Sequence, residues 1–319
     1  MTDLTVRVER IRQEALDIKS FELVRVDGGS LPGFAPGSHV DVHIEQGLVR
    51  QYSLCSGSDE TARYRIAVKN ESGSRGGSRA MHEHVKEGDV IQISAPRNNF
   101  SLVSGAAHHL LVAGGIGVTP LLSMARHLQA ERASFDFQYF SRSIQHTAFH
   151  DLISGSDLGH RTVFHYALEP EAVRSYLRRL LWRRREGAHL YLCGPRPFMD
   201  LVEATAAATW PPEAVHLEYF SADPASLAGA SDEFRVRLAR RNCEYLVPAG
   251  KSIVDALADH GVCIETSCEQ GVCGTCLTGV LGGTPDHRDV FLTEEERAAG
   301  GKILPCVSRA RSEVLVLDL

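Results

Sequence analysis

The chain has 319 residues and a formal net charge of −6 at neutral pH, which argues against nucleic acid as its partner, because that role calls for a basic face. Neither the N-terminal segment MTDLTVRVER nor any later stretch supplies the apolar run that a signal peptide or a membrane span requires. The expectation is a soluble, cytoplasmic, multi-domain protein with no membrane partner, since domains commonly run to about 100–200 residues.

The first third alternates short apolar-polar runs, at 4–8, 20–26, 39–44, 64–69 and 90–94, with turns such as Asp27-Gly-Gly and Leu31-Pro-Gly. That pattern predicts an antiparallel barrel or sandwich over residues 1–103. Within it, Arg50-Gln-Tyr-Ser53 combines a guanidinium fork for phosphate, the aromatic wall of Tyr52 and the hydroxyl of Ser53. Arg50 and Tyr52 share one face of a strand. Further on, Ser74-Arg-Gly-Gly-Ser-Arg79 precedes a helix-like stretch at 80–85. Its backbone N–H groups, with Arg75 and Ser78, form a candidate cradle for a terminal phosphate.

From His108 the pattern becomes apolar run, glycine turn, helix: 109–113, then Gly114-Gly-Ile-Gly117, then a helical stretch at 119–132. Pro120 suits the first helical turn and Thr119 suits the N-cap. This βα unit recurs through strands at 135–140, 161–166 and 190–193 and helices at 171–184 and 198–209, so residues 104–222 are expected to form a parallel sheet covered by helices. The turn is not the G-x-G-x-x-G of a dinucleotide fingerprint. Cys193-Gly194-Pro195 ends a second strand and is expected beside the first turn, because parallel strands present their C-terminal ends on one edge.

Small polar residues fill 223–231, the best linker in the chain. After it, runs at 234–238 and 243–247 predict a hairpin, 252–260 a short helix and 314–317 a terminal strand, giving an α+β unit over 232–319. That unit carries Cys268, Cys273 and Cys276 in C-x4-C-x2-C spacing, followed by Cys306. These are the ligand positions of a plant-type 2Fe-2S cluster, with Gly271 and Gly274 relieving crowding in the wrap. A zinc site would need a second close Cys or His pair, and none follows Cys306. The other cysteines, Cys55, Cys193, Cys243 and Cys263, are read as small core residues and not as disulfide halves.

In order and spacing, these segments resemble the phthalate dioxygenase reductase and vanillate demethylase reductase family. The likeness is carried by Arg50-Gln-Tyr-Ser-Leu54, Gly76-Gly-Ser78, Gly114-Gly-Ile-Gly-Val-Thr-Pro120, Cys193-Gly-Pro195, the cluster loop and Asp286-His-Arg-Asp289. The resemblance implies an antiparallel β-barrel flavin domain, an α/β nucleotide domain and a β-grasp ferredoxin domain. It further implies that the flavin is FMN, a choice the residue pattern alone leaves open, with Arg50, Arg75, Gly76, Gly77 and Ser78 around its phosphate. Tyr52 would pack on the isoalloxazine and Ser53 would hydrogen-bond near N5, with Val68 and Lys69 also at the flavin. Gly115, Gly117, Thr119, Pro120, Cys193, Gly194 and Pro195 would hold the nicotinamide cofactor, with Cys193 bordering the nicotinamide itself. Ser141 and Arg142 would meet the adenosine ribose. No acidic residue stands there, so a 2′-phosphate could be accepted, but NADH is expected. Phe220, with Tyr219 as its rival, would be the aromatic that covers the flavin until nicotinamide displaces it.

A nicotinamide gives up two electrons together whereas a 2Fe-2S centre takes one, so a flavin must mediate between them. The implied function is the reductase component of a Rieske-type oxygenase system, carrying electrons from NADH through FMN and the cluster to a terminal aromatic-ring oxygenase or O-demethylase. Alternatives are a diaphorase or monooxygenase reductase, and a redox sensor that switches with its cluster. Serial electron transfer asks for placement and not for acid–base groups, so the histidines, including His82, His84, His108 and His109, are read as surface or core residues. From Asp232 onward 14 Asp and Glu face 10 Lys and Arg, net −4, which predicts an acidic, salt-sensitive docking face.

Overall fold

A computed structural model describes residues 3–44, 48–71, 76–221 and 232–319. It divides into two compact units, Met1–Glu218 and Tyr219–Leu319. The boundary lies four residues ahead of the expected end at 222, and the expected linker at 223–231 lies outside the described residues. No helix among the described residues is long and apolar enough to cross a membrane.

The first unit opens with β1 (Leu4–Ala15), β2 (Ile18–Arg25), β3 (Ser38–His43), β4 (Val49–Ser53), β5 (Tyr64–Lys69), helix α1 (Gly77–Glu83), β6 (Val90–Ile93) and β7 (Arg97–Asn98). These strands pair antiparallel in the order β4-β3-β6-β1-β2-β5, with β7 on β3. A bridge between Leu54 and Ile66 joins the two ends of that order. Alternation drives the sheet: Val6 and Val8 of β1, Phe21 and Leu23 of β2, Val40 and Val42 of β3 and Ile66 of β5 turn inward onto one core.

The chain continues through β8 (His108–Gly114), α2 (Val118–Ala130), β9 (Phe135–Ser141), α3 (His150–Ser154), β10 (Thr162–Tyr166), α4 (Pro170–Trp182), β11 (Ala188–Cys193), α5 (Arg196–Ala206) and β12 (Val215–Glu218). Its sheet runs in the order β10-β9-β8-β11-β12 with every pairing parallel. Each residue of β8 is buried, as a central strand covered on both faces demands. Strand order reverses between β8 and β11, so a crevice opens at their C-terminal ends, at Gly114 and Cys193.

The first sheet keeps that core of its own, and a second apolar cluster joins it to the parallel sheet. Ala15, Ile18, Cys55, Ala67 and Phe100 pack with Leu111, Met124, Tyr139, Tyr191 and Cys193, and Arg126 of α2 reaches Glu60 at 2.5 Å. A correction concerns Thr119. The helix begins at Val118 with Gly117 at its N-cap, and the Thr119 hydroxyl turns inward to donate to the Ile116 carbonyl at 3.1 Å, so it does not cap.

The second unit comprises β13 (Phe234–Leu238), β14 (Cys243–Val247), α6 (Ile253–Ala258), β15 (Thr278–Gly282), β16 (Pro285–Asp286), α7 (Glu294–Ala299), β17 (Lys302–Ile303), β18 (Arg309–Ala310) and β19 (Val314–Leu317). The mixed sheet runs β14-β13-β19-β15-β17, with β13 and β19 parallel, and β16 pairs with β18. Ile253, Ala256 and Leu257 of α6 pack with Phe234, Val236, Ile303, Leu315 and Leu317. Of the four cysteines assigned to cores, Cys55 and Cys193 are buried and Cys243 partly so, but Cys263 is exposed, because it follows the end of α6 in an irregular segment.

Candidate functional site

The crevice in the first unit is built by close backbone approach. A Cβ on Gly117 would overlap the Cys193 carbonyl, and one on Gly114 would meet Pro195 Cδ at 3.0 Å and Phe198 Cδ1 at 2.8 Å. A Cβ on Gly194 would in turn meet Gly114 Cα at 3.0 Å. Only glycine lets the two turns interlock, and Gly115 supplies the positive φ of 52° that swings the chain from β8 into the helix. The structure thus brings Gly114 and Gly117 to the Cys193-Gly194-Pro195 turn, with Gly115 between them and Thr119 and Pro120 in the first turn of the helix that follows. Both turns lie at the strand ends where α/β sheets collect ligands.

Ser53, at the end of β4, meets this edge. Its hydroxyl donates to Glu218 Oε2 at 3.4 Å across 165 residues of sequence, and Glu218 ends β12, in register with Cys193 of β11. Burial pushes the Glu218 carboxyl up to about 8, partly opposed by the Ser53 hydroxyl, although the residue as a whole is half-buried. Burial also holds the Cys193 thiol well above its usual range, with the Glu218 charge adding to the effect. At neutral pH this edge therefore presents a hydroxyl, a neutral carboxyl and a neutral thiol. Sequence reasoning missed Glu218, because a single glutamate at the end of an alternating strand carries no local signal.

Along β4, Arg50 lies against α1: a Cβ on Gly77 would meet Arg50 Nε at 2.6 Å. Arg50 and Gly77, two of the expected phosphate ligands, therefore adjoin, with Gly76 in the left-handed conformation at φ 87° leading into the helix. The Ser78 hydroxyl accepts from the Glu71 N–H at 3.2 Å, and Arg75 lies outside the described residues. Tyr52 packs half-buried on the first core, and burial raises its phenol pKa. Val68 is buried within that core and its carbonyl accepts from His82 at 2.8 Å, while Lys69 pairs with Glu71 at 2.6 Å. Those two residues are oriented into the sheet and onto its rim.

At the end of β9 the Ser141 hydroxyl is held by Thr147 Oγ1 at 2.6 Å, whereas Arg142 is exposed and stands 3.8 Å from Asp17. Tyr219 and Phe220 follow the unit boundary, and Phe220 is 40% exposed.

In the second unit the four cysteines meet as two pairs. Cys276 Sγ lies 3.3 Å from Cys306 Sγ, and Cys268 is in contact with Cys273. No group of three His, Cys, Asp or Glu placed for a single ion occurs among the described residues, whereas two thiolate pairs suit the two irons of a binuclear cluster. Main-chain donors face two of the sulfurs: the Gln270 N–H points to Cys268 at 3.3 Å and the Thr275 N–H to Cys273 at 3.4 Å. Such donors stabilise thiolates, so the donor set fits a 2Fe-2S centre.

Comparison with known proteins identifies the family. Residues 6–102 match the family described as the oxidoreductase FAD-binding domain, and residues 236–311 the 2Fe-2S iron-sulfur cluster binding domain. The vanillate O-demethylase oxidoreductase of Pseudomonas putida is 46% identical over 308 residues, 96% of this chain and 96% of that protein. The chain belongs to this family of oxygenase reductases. The phthalate dioxygenase reductase of Burkholderia cepacia is 39% identical over 99% of this chain and 97% of that protein. A solved phthalate dioxygenase reductase, described as a modular structure for electron transfer from pyridine nucleotides to 2Fe-2S, has a TM-score of 0.81 at 39% identity, covering 99% of this chain and 98% of that one. This oxygenase reductase is accordingly a multi-domain electron-transfer oxidoreductase with a flavin-binding and an iron–sulfur part.

Proposed function

We propose that the protein is the reductase component of a Rieske-type oxygenase or O-demethylase system, carrying electrons from NADH through FMN and the 2Fe-2S cluster to a terminal oxygenase. The observation that carries this reading is the meeting of Ser53 with Glu218 beside the interlocked Gly114–Gly117 and Cys193–Pro195 turns. It places a hydroxyl from the flavin-family sheet at the ligand edge of the parallel sheet. When bound, the flavin exchanges two electrons with nicotinamide and one at a time with an iron–sulfur centre. The residues of the chain bind and orient: Arg50, Gly76, Gly77 and Ser78, with Arg75, take the phosphate, Tyr52, Val68 and Lys69 bound the ring system, and Ser53 directs its hydroxyl to the reacting edge. Gly115, Gly117, Thr119, Pro120, Gly194 and Pro195 admit the dinucleotide, Cys193 borders the nicotinamide, Ser141 and Arg142 meet the ribose, and Phe220 is the covering aromatic.

On this reading residues 1–103 are an FMN-binding β-barrel, 104–222 an NAD-binding α/β domain, 223–231 a linker and 232–319 a β-grasp ferredoxin domain that holds the cluster through Cys268, Cys273, Cys276 and Cys306. The Leu54–Ile66 bridge supports the barrel, and the β13–β19 parallel pair flanked by antiparallel strands supports the grasp. The cellular setting is the cytoplasm, and the partner docks on the acidic ferredoxin domain with turnover that falls as salt rises. Anaerobic stopped-flow mixing of the purified, cofactor-loaded protein with NADH tests the pathway. Flavin bleaching followed by loss of the iron–sulfur absorbance is expected, faster with NADH than with NADPH. Absence of both changes would overturn it.

A further inference from the structure

The Asp286-His-Arg-Asp289 segment has no part in the reading above, yet its last residue stands at the centre of the cluster loop. Asp289 is 4% exposed, and its carboxylate is filled by hydrogen bonds. Oδ2 accepts from the N–H groups of Phe291 at 3.2 Å and Leu292 at 2.9 Å, and Oδ1 accepts from the Ser308 hydroxyl at 3.3 Å. The Arg297 guanidinium donates to the Asp289 carbonyl at 2.6 Å and lies 3.8 Å from Oδ2, and His287 Nδ1 lies 3.7 Å from Oδ1.

Asp289 itself and its partners Phe291 and Ser308 lead to the cluster loop. A Cβ on Gly271 would meet Asp289 Cα at 3.0 Å and Val307 Cγ2 at 2.7 Å, and the Gly271 carbonyl accepts from the Val290 N–H at 3.0 Å. A Cβ on Gly274 would overlap the ring of Phe291, whose N–H Asp289 binds. Ser308 is fully buried two residues beyond Cys306. One buried carboxylate therefore ties together both glycines of the loop and the segment that brings the fourth cysteine. Gln270 and Thr275, the neighbours of those two glycines, are the residues whose N–H groups face the Cys268 and Cys273 sulfurs.

From this geometry we infer that Asp289 is a positioning residue that sets the reduction potential of the cluster, by bracing the loop whose Gln270 and Thr275 N–H groups face the Cys268 and Cys273 sulfurs. The inference rests on the cluster assignment. Hydrogen bonds to ligating sulfur stabilise the added negative charge of the reduced state. Loss of one therefore makes the centre harder to reduce. Removing the carboxylate also orphans two buried main-chain donors, which frees the loop to shift.

The test compares the full-length, cofactor-loaded wild type with Asp289→Ala, Asp289→Asn and Ser308→Ala. A rhombic EPR signal from the reduced wild type establishes the cluster; its absence would defeat the cluster assignment itself, separately from the role of Asp289. Asp289→Ala is expected to shift the EPR g values, to move the midpoint potential negative and to lower the equilibrium constant for cluster reduction about tenfold, the scale of one hydrogen bond to a charged group. Flavin bleaching by NADH should keep its rate. Asp289→Asn retains an acceptor for the Phe291 and Leu292 N–H groups and should restore most of the wild-type signature, and Ser308→Ala should shift the potential in the same direction by less. Unchanged g values and potential in Asp289→Ala would overturn the inference. If that variant fails to load a cluster, an unshifted potential in Ser308→Ala would do the same.

Discussion

The two sites differ in how they are assembled. The cluster pocket draws three of its four cysteines from nine consecutive residues, 268–276, and its glycines and main-chain donors lie in the same loop. The Ser53–Cys193–Glu218 edge draws on three strands of two sheets, and its hydrogen-bonded pair is 165 positions apart in sequence. The loop takes most of its geometry from its own backbone and is braced by Asp289, whereas the edge exists only because a shared apolar cluster fixes the first sheet against the second. The cluster pocket should therefore fail one residue at a time, and the edge should be sensitive to whatever displaces a strand end.

The largest effect is expected from Cys276→Ala. It removes half of the Cys276–Cys306 pair and should abolish both the iron–sulfur absorbance and reduction of a one-electron acceptor such as cytochrome c, while flavin bleaching by NADH continues. If flavin bleaching also stopped, the two sites would be less separable than their construction implies. Next comes Gly117→Ala, whose methyl overlaps the Cys193 carbonyl. It should lower stability by about 2–3 kcal/mol and weaken NADH binding, read by thermal unfolding and by titration. Ser53→Ala leaves both turns intact and should slow flavin reduction about tenfold with little change in the unfolding midpoint.

Glu218→Gln addresses the electrostatics of the same edge. The folded protein holds the Glu218 proton up to about 8, far above the ordinary carboxyl value of 4.5. This group's contribution to stability is therefore complete below the unfolded value and is lost as pH rises through the folded one. Wild-type flavin reduction should change with an apparent pKa near 8, and the glutamine variant should show a flat profile through that range. A retained inflection would assign the pH dependence to another group. Smallest of all, Cys263→Ser at an exposed position in an irregular segment should leave the unfolding free energy within about 0.5 kcal/mol and both electron-transfer rates unchanged.

Legibility in the sequence followed the same division. The hairpin strands 234–238 and 243–247, the terminal strand 314–317 and β5 coincide with the expected bounds, because alternation and turn residues act over a few positions. Helix α7 was legible but overlooked: Thr293-Glu-Glu-Glu296 forms a capping box, with Thr293 and Glu296 bonding reciprocally. Thr119 resembled a cap by residue type, yet the chain enters α2 through a tight turn at Gly115–Gly117, and Gly117 takes the cap position. The inward packing of Val68 and the ion pair of Lys69 with Glu71 were not visible in any motif, since they follow from which face β5 presents to the core.

What the sequence determined by itself was the chemistry that short-range geometry dictates: four thiols in C-x4-C-x2-C spacing with a distant fourth, glycines where the backbone must turn or approach closely, and strand and helix periods in three successive blocks. Tertiary structure decided what depends on long-range packing. It joined the first two sheets through a shared apolar cluster, brought Glu218 to Ser53 and raised its pKa by burial, and wrapped the cluster loop around Asp289. The physical reason is that burial and register are properties of the assembled sheets: a carboxyl on an isolated strand titrates normally, and becomes a neutral group at pH 7 only when neighbouring strands remove its water.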